Sequence, residues 1–128
     1  MAKTRGVFAL INDQGALLVC ERADGKGWNL PGGGVAAGET DETALVREVK
    51  EETGLQVEVL EPVGPGLGFK DDTAQAFRCR AIGGTLVTTE ETKSHRWLTG
   101  WAQVKDMTWA GGRTLCMVLL GLYVPPKE

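Results

Sequence analysis

The chain has 128 residues, of which 42% are hydrophobic and 24% are charged, a composition typical of a soluble globular protein. This length predicts a single domain over residues 1–128, large enough to bury a core without disulfides or structural metal ions. The formal net charge of −3 argues against a general nucleic-acid-binding protein, which would usually be basic. It does not exclude a small anionic substrate, because metal ions can reverse the field of an acidic site.

The three cysteines, Cys20, Cys79 and Cys116, are widely spaced and show no metal-ligand spacing. Each neighbours apolar residues, so we interpret them as buried free thiols, which favours a reducing, cytoplasmic location. The N-terminal apolar run is too short for the core of a signal peptide, and the apolar stretch 115–124 is too short to span a membrane. We therefore expect no membrane partner.

The first elements in chain order are predicted to be strands. Residues 6–11 and 16–21 are apolar and β-prone and flank the turn sequence Asn-Asp-Gln-Gly, so they should form a β-hairpin. Residues 28–30 form a candidate short strand, which ends at Pro31 and a run of three glycines that we expect to be a turn. Such a run opens backbone conformations that other residues avoid, and it lets a ligand approach the main chain closely.

A helix is predicted over residues 41–53. Thr40 is a candidate N-cap, acidic residues follow it at the positive end of the helix dipole, and Gly54 is a candidate C′ stop. The remaining predicted elements are strands at 55–60, 73–82, 85–89 and 95–98, a loop at 61–68, a short helix at 101–107 and a buried helix, or alternatively a strand, at 113–123. This order predicts a mixed sheet with helices packed on it.

Three carboxylates share one face of the predicted helix. At about 100° per residue, Glu51 and Glu52 lie about 60° and 40° to either side of Glu48. Arg47 precedes Glu51 by four residues and should lie beside it. The core face of the helix is predicted to consist of Leu45, Val46 and Val49.

This acidic face has two interpretations. It can be an ordinary solvated surface, since glutamates are common on exposed helices. Alternatively, the like-charge pair Glu48 and Glu52, which destabilises an isolated helix by a few tenths of a kcal/mol, is offset by a hard cation such as Mg²⁺ bound against a phosphate.

The stretch 33–55, GGVAAGETDETALVREVKEETGL, favours the second interpretation. It resembles the Nudix box, G-x5-E-x7-R-E-U-x-E-E-x-G-U with U apolar, at every specified position from Gly33 to Leu55. The preceding GWNLPGGG is also similar to the approach to the box in that family. The chain is thus identified as resembling the Nudix hydrolases, in particular the small MutT-like members.

The resemblance implies an α/β fold, an α/β/α sandwich around a central mixed sheet. It also implies hydrolysis of a nucleoside diphosphate linked to another group, with Mg²⁺ or Mn²⁺ as cofactor and water attacking a phosphorus of the pyrophosphate link.

Carried over by position, the box residues take distinct roles. Glu48, Glu51 and Glu52 would be metal ligands and catalytic residues, Arg47 would orient them, and Glu39 would fix the loop and the helix start. The carbonyl of Gly32 would be a further metal ligand. The resemblance does not decide whether the general base is one of these three glutamates or a glutamate outside the box.

A glutamate in a later loop often joins the site in this family. Glu91 is the better match by its spacing from Trp97, and Glu90 is its neighbour, while Ser94 stands where many relatives carry a second acidic residue. A charged surface turn is the alternative for both glutamates.

The substrate-binding candidates are less specific. Arg22 could bind a phosphate or be an exposed strand end, Trp28 could stack on a base or pack in the core, and Gly33 belongs to the glycine run that a ligand could approach. His95 could assist proton transfer or lie at the surface. Phe69 and Lys70 are candidates for the border of the pocket.

The predicted function is a Mg²⁺-dependent hydrolase that cleaves a pyrophosphate bond in a (deoxy)nucleoside triphosphate. A nucleoside diphosphate sugar, a dinucleoside polyphosphate or a non-catalytic nucleotide sensor are the alternatives. The post-box proline of many ADP-ribose hydrolases is absent near Lys70 and Asp71. The expected partner is a small nucleotide, without a stable nucleic-acid complex, and small strand-rich domains often form homodimers.

Overall fold

The structure, a computed structural model, describes residues 5–63 and 74–123, with residues 112 and 113 described by their backbone alone. The strands are β1 (Gly6–Asp13), β2 (Ala16–Arg22), β3 (Trp28–Asn29), β4 (Gly32–Gly34), β5 (Leu55–Val63), β6 (Ala74–Gly84) and β7 (Thr92–Leu98). The helices are α1 (Asp41–Thr53), α2 (Trp101–Val104) and α3 (Gly112–Tyr123).

The strands form one mixed sheet in the order β3-β2-β1-β6-β5, with β4 added to β1 and β7 added to β2. The predicted hairpin of β1 and β2 is confirmed, with Asp13 opposite Ala16. β1 runs parallel to β6 and antiparallel to β4, while β5 and β6 pair antiparallel. The sheet is therefore mixed, as the sequence predicts.

Strand β1 is buried on both faces, so the sheet lies between two helical layers. Alternate β1 residues pack into two apolar clusters. One cluster joins them to the core face of α1, and the other joins Leu10 to Met117 and Val118 of α3. A Cβ on Gly121 would lie 2.8 Å from Leu10, so α3 approaches the sheet closely. The predicted α/β/α sandwich is thus confirmed.

Helix α1 has the predicted bounds and caps. The Thr43 N–H donates to Oγ1 of Thr40 at 3.1 Å, and Gly54 ends the helix at φ 82°, in the left-handed region that favours glycine. The predicted core face is partly wrong, because Val46 is 39% exposed. The buried positions of α1 are Ala44, Leu45, Val49 and Thr53.

Two sheet predictions are corrected by backbone hydrogen bonds. Residues 85–89 are not a strand: the Val87 N–H donates to the Thr53 carbonyl at 2.9 Å, so this segment crosses the end of α1 instead of joining the sheet. The glycine run, expected to be a turn, forms strand β4, in which Gly33 pairs with Val7.

Further predictions differ in extent or fall outside the described residues. β5 and β7 are longer than predicted, and the short helix ends at Val104. The predicted loop 61–68 lies outside the described residues from residue 64 onward. Cys20 and Cys79 are buried free thiols as predicted, but Cys116 is exposed. None of the described helices is long and apolar enough to cross a membrane.

Candidate active site

Helix α1 lies beside β4, so its acidic face meets the glycine backbone. The Gly32 N–H donates to Oε1 of Glu52 at 2.8 Å. A Cβ added to Gly33 would lie 2.5 Å from the carboxyl group of Glu48, closer than any real contact allows. A side chain at position 33 would therefore force the flexible end of Glu48 to move. Substrate contact by Gly33 stays a prediction.

Arg47 holds several of the carboxylates together. Its Nε and Nη2 atoms each donate to Glu39 at 2.8 Å, and its Nη1 atom donates to Glu48 at 3.1 Å and to Glu51 at 3.3 Å. Nη2 also donates to the Gly34 carbonyl at 3.2 Å. The guanidinium group thus fixes both the loop before α1 and the acidic face of α1, as the predicted roles of Arg47 and Glu39 require.

The electrostatic environment shifts the pKa values of Glu39 and Glu52 in opposite directions. Hydrogen bonds from Arg47 and from the Ala36 N–H lower the pKa of Glu39 to about 2. Burial raises the pKa of Glu52 to about 8, and the nearby negative charges of Glu48 and Glu91 raise it further against the opposing hydrogen bond from Gly32. The ionised form of Glu52 is therefore compensated only in part, by the Gly32 hydrogen bond and by the positive charge of Arg22.

Glu48 shows the same effect more weakly. Burial raises its pKa, while the hydrogen bond from Arg47 lowers it in part. Glu51 is the most solvent-accessible of the three, with a side chain 55% exposed. On the acidic face, Glu48 and Glu52 are thus half-buried and Glu51 is exposed.

Among the described residues, no three His, Cys, Asp or Glu side chains converge closely enough to hold a metal ion as they are placed. The hydrogen bonds explain this arrangement. Glu48 and Glu51 turn toward Arg47, whereas Glu52 turns toward the Gly32 N–H. Like charges separate unless a cation gathers them.

An open cleft of about 930 Å³ lies over the acidic face. Its charged lining residues are Arg22, Asp24, Glu48, Glu51, Glu52, Glu90 and Glu91. Its neutral lining residues include Gly6, Phe8, Cys20, Asn29, Ala110 and Thr114. Gly32 and Gly33 lie on the same surface.

Both later-loop glutamates reach this cleft. Glu90 and Glu91 are among its lining residues, and the negative charge of Glu91 raises the pKa of both Glu48 and Glu52. Ser94, which replaces an acidic residue of many relatives, instead donates to Oε1 of Glu21 at 2.8 Å. The structure thus brings Glu91 to the box glutamates, while its role as a ligand stays a prediction.

The other predicted substrate-binding residues are placed differently. Arg22 lines the cleft and forms an exposed ion pair of 2.6 Å with Asp24. Trp28 lies outside the cleft lining, packs in the second apolar cluster and has the Arg96 guanidinium 5.0 Å from its ring centroid. Substrate contact by either residue stays a prediction. Phe69 and Lys70 lie outside the described residues.

His95 is half-buried, and its predicted role in proton transfer stays a prediction. It stands opposite Cys20 in the β2–β7 ladder, and its ring hydrogen-bonds to the backbone of Glu52. Its Nε2 atom is buried without a hydrogen-bond partner in the described part of the chain, and burial lowers its pKa. The ring is therefore held beneath the last turn of α1.

The sequence did not identify three neutral lining residues of the cleft, Asn29, Ala110 and Thr114. Asn29 on β3 and Thr114 on α3 are 85 positions apart, yet the Thr114 hydroxyl donates to Oδ1 of Asn29 at 3.3 Å. Ala110 joins them because its N–H donates to the Trp28 carbonyl at 2.9 Å. Only the docking of the 108–114 segment against β3 brings these residues together, and no local pattern encodes it.

The fold and the site define an α/β protein with an arginine-organised acidic helix facing a glycine strand. Residues 2–114 match the family model of the NUDIX domain, and the chain belongs to this family.

Similarity to individual curated proteins supports this family assignment. The MutT-like protein of Streptomyces ambofaciens is 43% identical over 94 residues, which cover 70% of this chain and 59% of that protein. The nucleoside triphosphatase NudI of Escherichia coli O139:H28 is 47% identical over 71 residues, which cover 52% and 49%. The chain thus spans about half to three-fifths of the length of these curated relatives.

A solved structure supports the same fold along more of the chain. The ADP-ribose pyrophosphatase of Streptococcus suis superposes with a TM-score of 0.75 at 25% identity, covering 94% of this chain and 90% of that one.

Proposed function

We propose that this protein is a divalent-metal-dependent hydrolase that cleaves a pyrophosphate bond in a nucleotide, with a (deoxy)nucleoside triphosphate as the favoured substrate. The observation that carries the proposal is the acidic face of α1, where a half-buried Glu52 with a raised pKa lies within the influence of Glu48 and Glu91. Family membership supports the reaction class, because the relatives carry the names of a triphosphatase and a pyrophosphatase.

The residues present fit a hard divalent cation such as Mg²⁺ or Mn²⁺. Oxygen donors line the cleft over the acidic face, and burial and neighbouring negative charges at Glu52 outweigh the Gly32 hydrogen bond and the charge of Arg22. Glu48, Glu51, Glu52, Glu91 and the carbonyl of Gly32 would hold the ion. When bound, the ion would neutralise charge on the pyrophosphate and make a water molecule more acidic.

The residues of the chain then perform three tasks. Arg47 keeps Glu48 and Glu51 in place, and the Gly32 N–H keeps Glu52 oriented toward the strand. A carboxylate accepts a proton from the attacking water, whose oxygen forms a bond to phosphorus. The bridging P–O bond breaks, and its oxygen leaves with the second phosphate fragment, giving a nucleoside monophosphate and pyrophosphate from a triphosphate.

The lining of the cleft suits both parts of a nucleotide. Phosphates belong with cations at the carboxylates, whereas Phe8, Asn29 and Thr114 offer an aromatic ring and polar groups to a nucleoside. This composition supports a nucleotide as substrate. A nucleoside diphosphate sugar is the second candidate, favoured by the structural similarity to an ADP-ribose pyrophosphatase.

A substrate panel with Mg²⁺ tests the proposal. Nucleoside triphosphates, ADP-ribose and a dinucleoside polyphosphate would be assayed for formation of a nucleoside monophosphate with the wild type, Glu52→Gln and Glu42→Gln. Glu42 is the matched control, because it is exposed on the same helix, outside the cleft lining. We expect Glu52→Gln to lose at least about 100-fold in turnover, as for a lost electrostatic stabiliser, and Glu42→Gln to retain it.

Turnover of no substrate by the wild type, or equal turnover by wild type and Glu52→Gln, would overturn the proposal. Cleavage of ADP-ribose in preference to triphosphates would select the second candidate.

We also propose a cytoplasmic location, a single domain over residues 1–128 and a homodimeric state. Size-exclusion chromatography tests the homodimeric state.

A further inference from the structure

Residues 85–91, which we call the brace, connect the two sides of the acidic cleft. Near one end, the Val87 N–H donates to the Thr53 carbonyl of α1 at 2.9 Å. At the other end, the Ala23 N–H donates to the Glu91 carbonyl at 2.9 Å, just beyond β2. The brace is therefore tied to both elements that carry charged residues of the cleft.

One side chain closes the turn at the end of the brace. Oγ1 of Thr89 accepts hydrogen bonds from the Glu91 N–H at 3.1 Å and from the Thr92 N–H at 3.0 Å. The Thr89 N–H also donates to the Thr92 carbonyl at 2.9 Å. Thr92 is only 1% exposed, so the Thr89 hydroxyl links Glu91 to a buried anchor.

The sheet is irregular at the same place. The β2–β7 register shifts between Glu21 and Arg22, so that Arg22 stands opposite Thr92. Such bulges re-aim the side chains next to them. The start of β7 and its preceding turn are thus shaped by contacts with Ala23, Arg22 and Thr89, rather than by regular strand pairing.

The charges around Glu91 favour its displacement from α1. It lines the cleft beside the carboxyl groups of α1, while the attracting charge of Arg22 lies at the end of β2, and it is exposed to solvent. Without a fixed backbone, like-charge repulsion would favour movement of Glu91 away from α1.

We propose that Thr89 is a positioning residue that holds Glu91 against the carboxylate face of α1. This inference rests on the proposed function for its kinetic consequences, but not for its effect on metal binding. Thr89→Val keeps the shape of the side chain and removes the oxygen that accepts two backbone N–H groups. Thr89→Ser keeps that oxygen, and Thr88→Val is the matched control at an exposed neighbouring position.

The kinetic experiment is a double-mutant cycle of Thr89→Val and Glu91→Gln with Mg²⁺ and a nucleoside triphosphate. In the wild-type background, we expect Thr89→Val to lower kcat by about 10-fold, with KM changed by less than about twofold, because displaced catalytic groups lower the rate steeply. Thr89→Ser and Thr88→Val should stay within about twofold of wild type. In the Glu91→Gln background, Thr89→Val should have no further effect.

A direct Mn²⁺ titration, followed by the electron paramagnetic resonance signal of the free ion, measures the same cycle without turnover. We expect Thr89→Val to weaken Mn²⁺ binding in the wild-type background and to leave it unchanged beside Glu91→Gln. If the wild type hydrolyses nothing, the proposed function fails, and this titration alone decides the role of Thr89. Wild-type behaviour of Thr89→Val, or an equal loss in both backgrounds, would overturn the inference.

Discussion

At the scale of single residues, the site depends on which of four glutamates bind Arg47 and which binds the backbone of the glycine strand β4. Arg47 neutralises Glu39 and shares its remaining donor with Glu48 and Glu51. Glu52 is left to the Gly32 N–H, and burial raises its pKa. The residue with the least compensated charge is thus the residue that a cation would stabilise most.

Replacement of Arg47 by lysine tests the geometry of this arrangement. Lysine keeps the positive charge but cannot reach Glu39, Glu48 and Glu51 from one planar fork. We expect Arg47→Lys to lower kcat by about 10- to 100-fold while the fold is retained. Steady-state kinetics and circular dichroism measure the two effects. Unchanged kcat would show that charge alone is sufficient.

The ion pair of Glu39 with Arg47 predicts an acid dependence of stability. The folded-state pKa of Glu39 is about 2, below its ordinary value of 4.5. The stabilisation is therefore fully present above about pH 4.5 and is lost as the pH falls toward 2.

Urea denaturation of the wild type and Glu39→Gln at several pH values measures this dependence. We expect the wild type to have the higher midpoint at pH 7 and the two midpoints to converge on acidification toward pH 3. A difference that stays constant with pH would show that the ionised form of Glu39 does not stabilise the fold.

At the scale of elements, α1 is fixed at both ends by features that serve the site. Its N-terminus is capped by Thr40, and its C-terminal carbonyls accept hydrogen bonds from Gly54 and from Val87 of the brace. The ring of His95 hydrogen-bonds to the backbone of Glu52 in the same turn. The last turn, which carries Glu51 and Glu52, is thus held by its own Gly54 cap and by two other segments, the brace and β7.

Gly54→Ala measures how tightly this end is packed. Gly54 has φ 82°, and a Cβ there would collide with the Thr85 carbonyl. Gly38 is a matched control, with φ 83° and nothing within 4 Å of an added Cβ. We expect Gly38→Ala to cost about 1 kcal/mol, for left-handed strain alone, and Gly54→Ala to cost at least about 2 kcal/mol. Equal free energies of unfolding for the two variants would mean that the Thr85 backbone moves away from the added Cβ at no energetic cost.

At the scale of the whole molecule, the sequence predicts the parts that local patterns encode. The hairpin, the capped helix α1 and the acidic face follow from apolar periodicity, cap residues and box spacing. It does not predict strand β4, because glycines have low strand preference and only the neighbouring β1 recruits their backbone.

The same limit explains the missed parts of the site. Thr114 reaches Asn29 through the docking of α3, and Thr89 fixes Glu91 through a turn in a segment whose β-prone residues suggested a strand. Both contacts depend on tertiary placement and leave no periodic signal. Glu91 is predictable only from family spacing.

Metal binding should be visible as a change in global stability. A cation that binds the folded state raises the thermal midpoint, whereas the metal-free site contains repelling, partly buried carboxylates. We expect Mn²⁺ to raise the Tm of the wild type by several degrees and that of Glu52→Gln by much less. Without metal, Glu52→Gln should have a Tm equal to or above that of the wild type. Identical metal-induced shifts in both proteins would place the ion elsewhere.

The most direct test of the central claim, a hydrolytic metal centre on the acidic face of α1, is phosphorus NMR of a nucleoside triphosphate incubated with the protein. With Mg²⁺, the wild type should produce nucleoside monophosphate and pyrophosphate. With a chelator it should produce neither, and Glu52→Gln with Mg²⁺ should be slower by at least about 100-fold. Equal product formation in the chelated sample, or by Glu52→Gln, would contradict the claim.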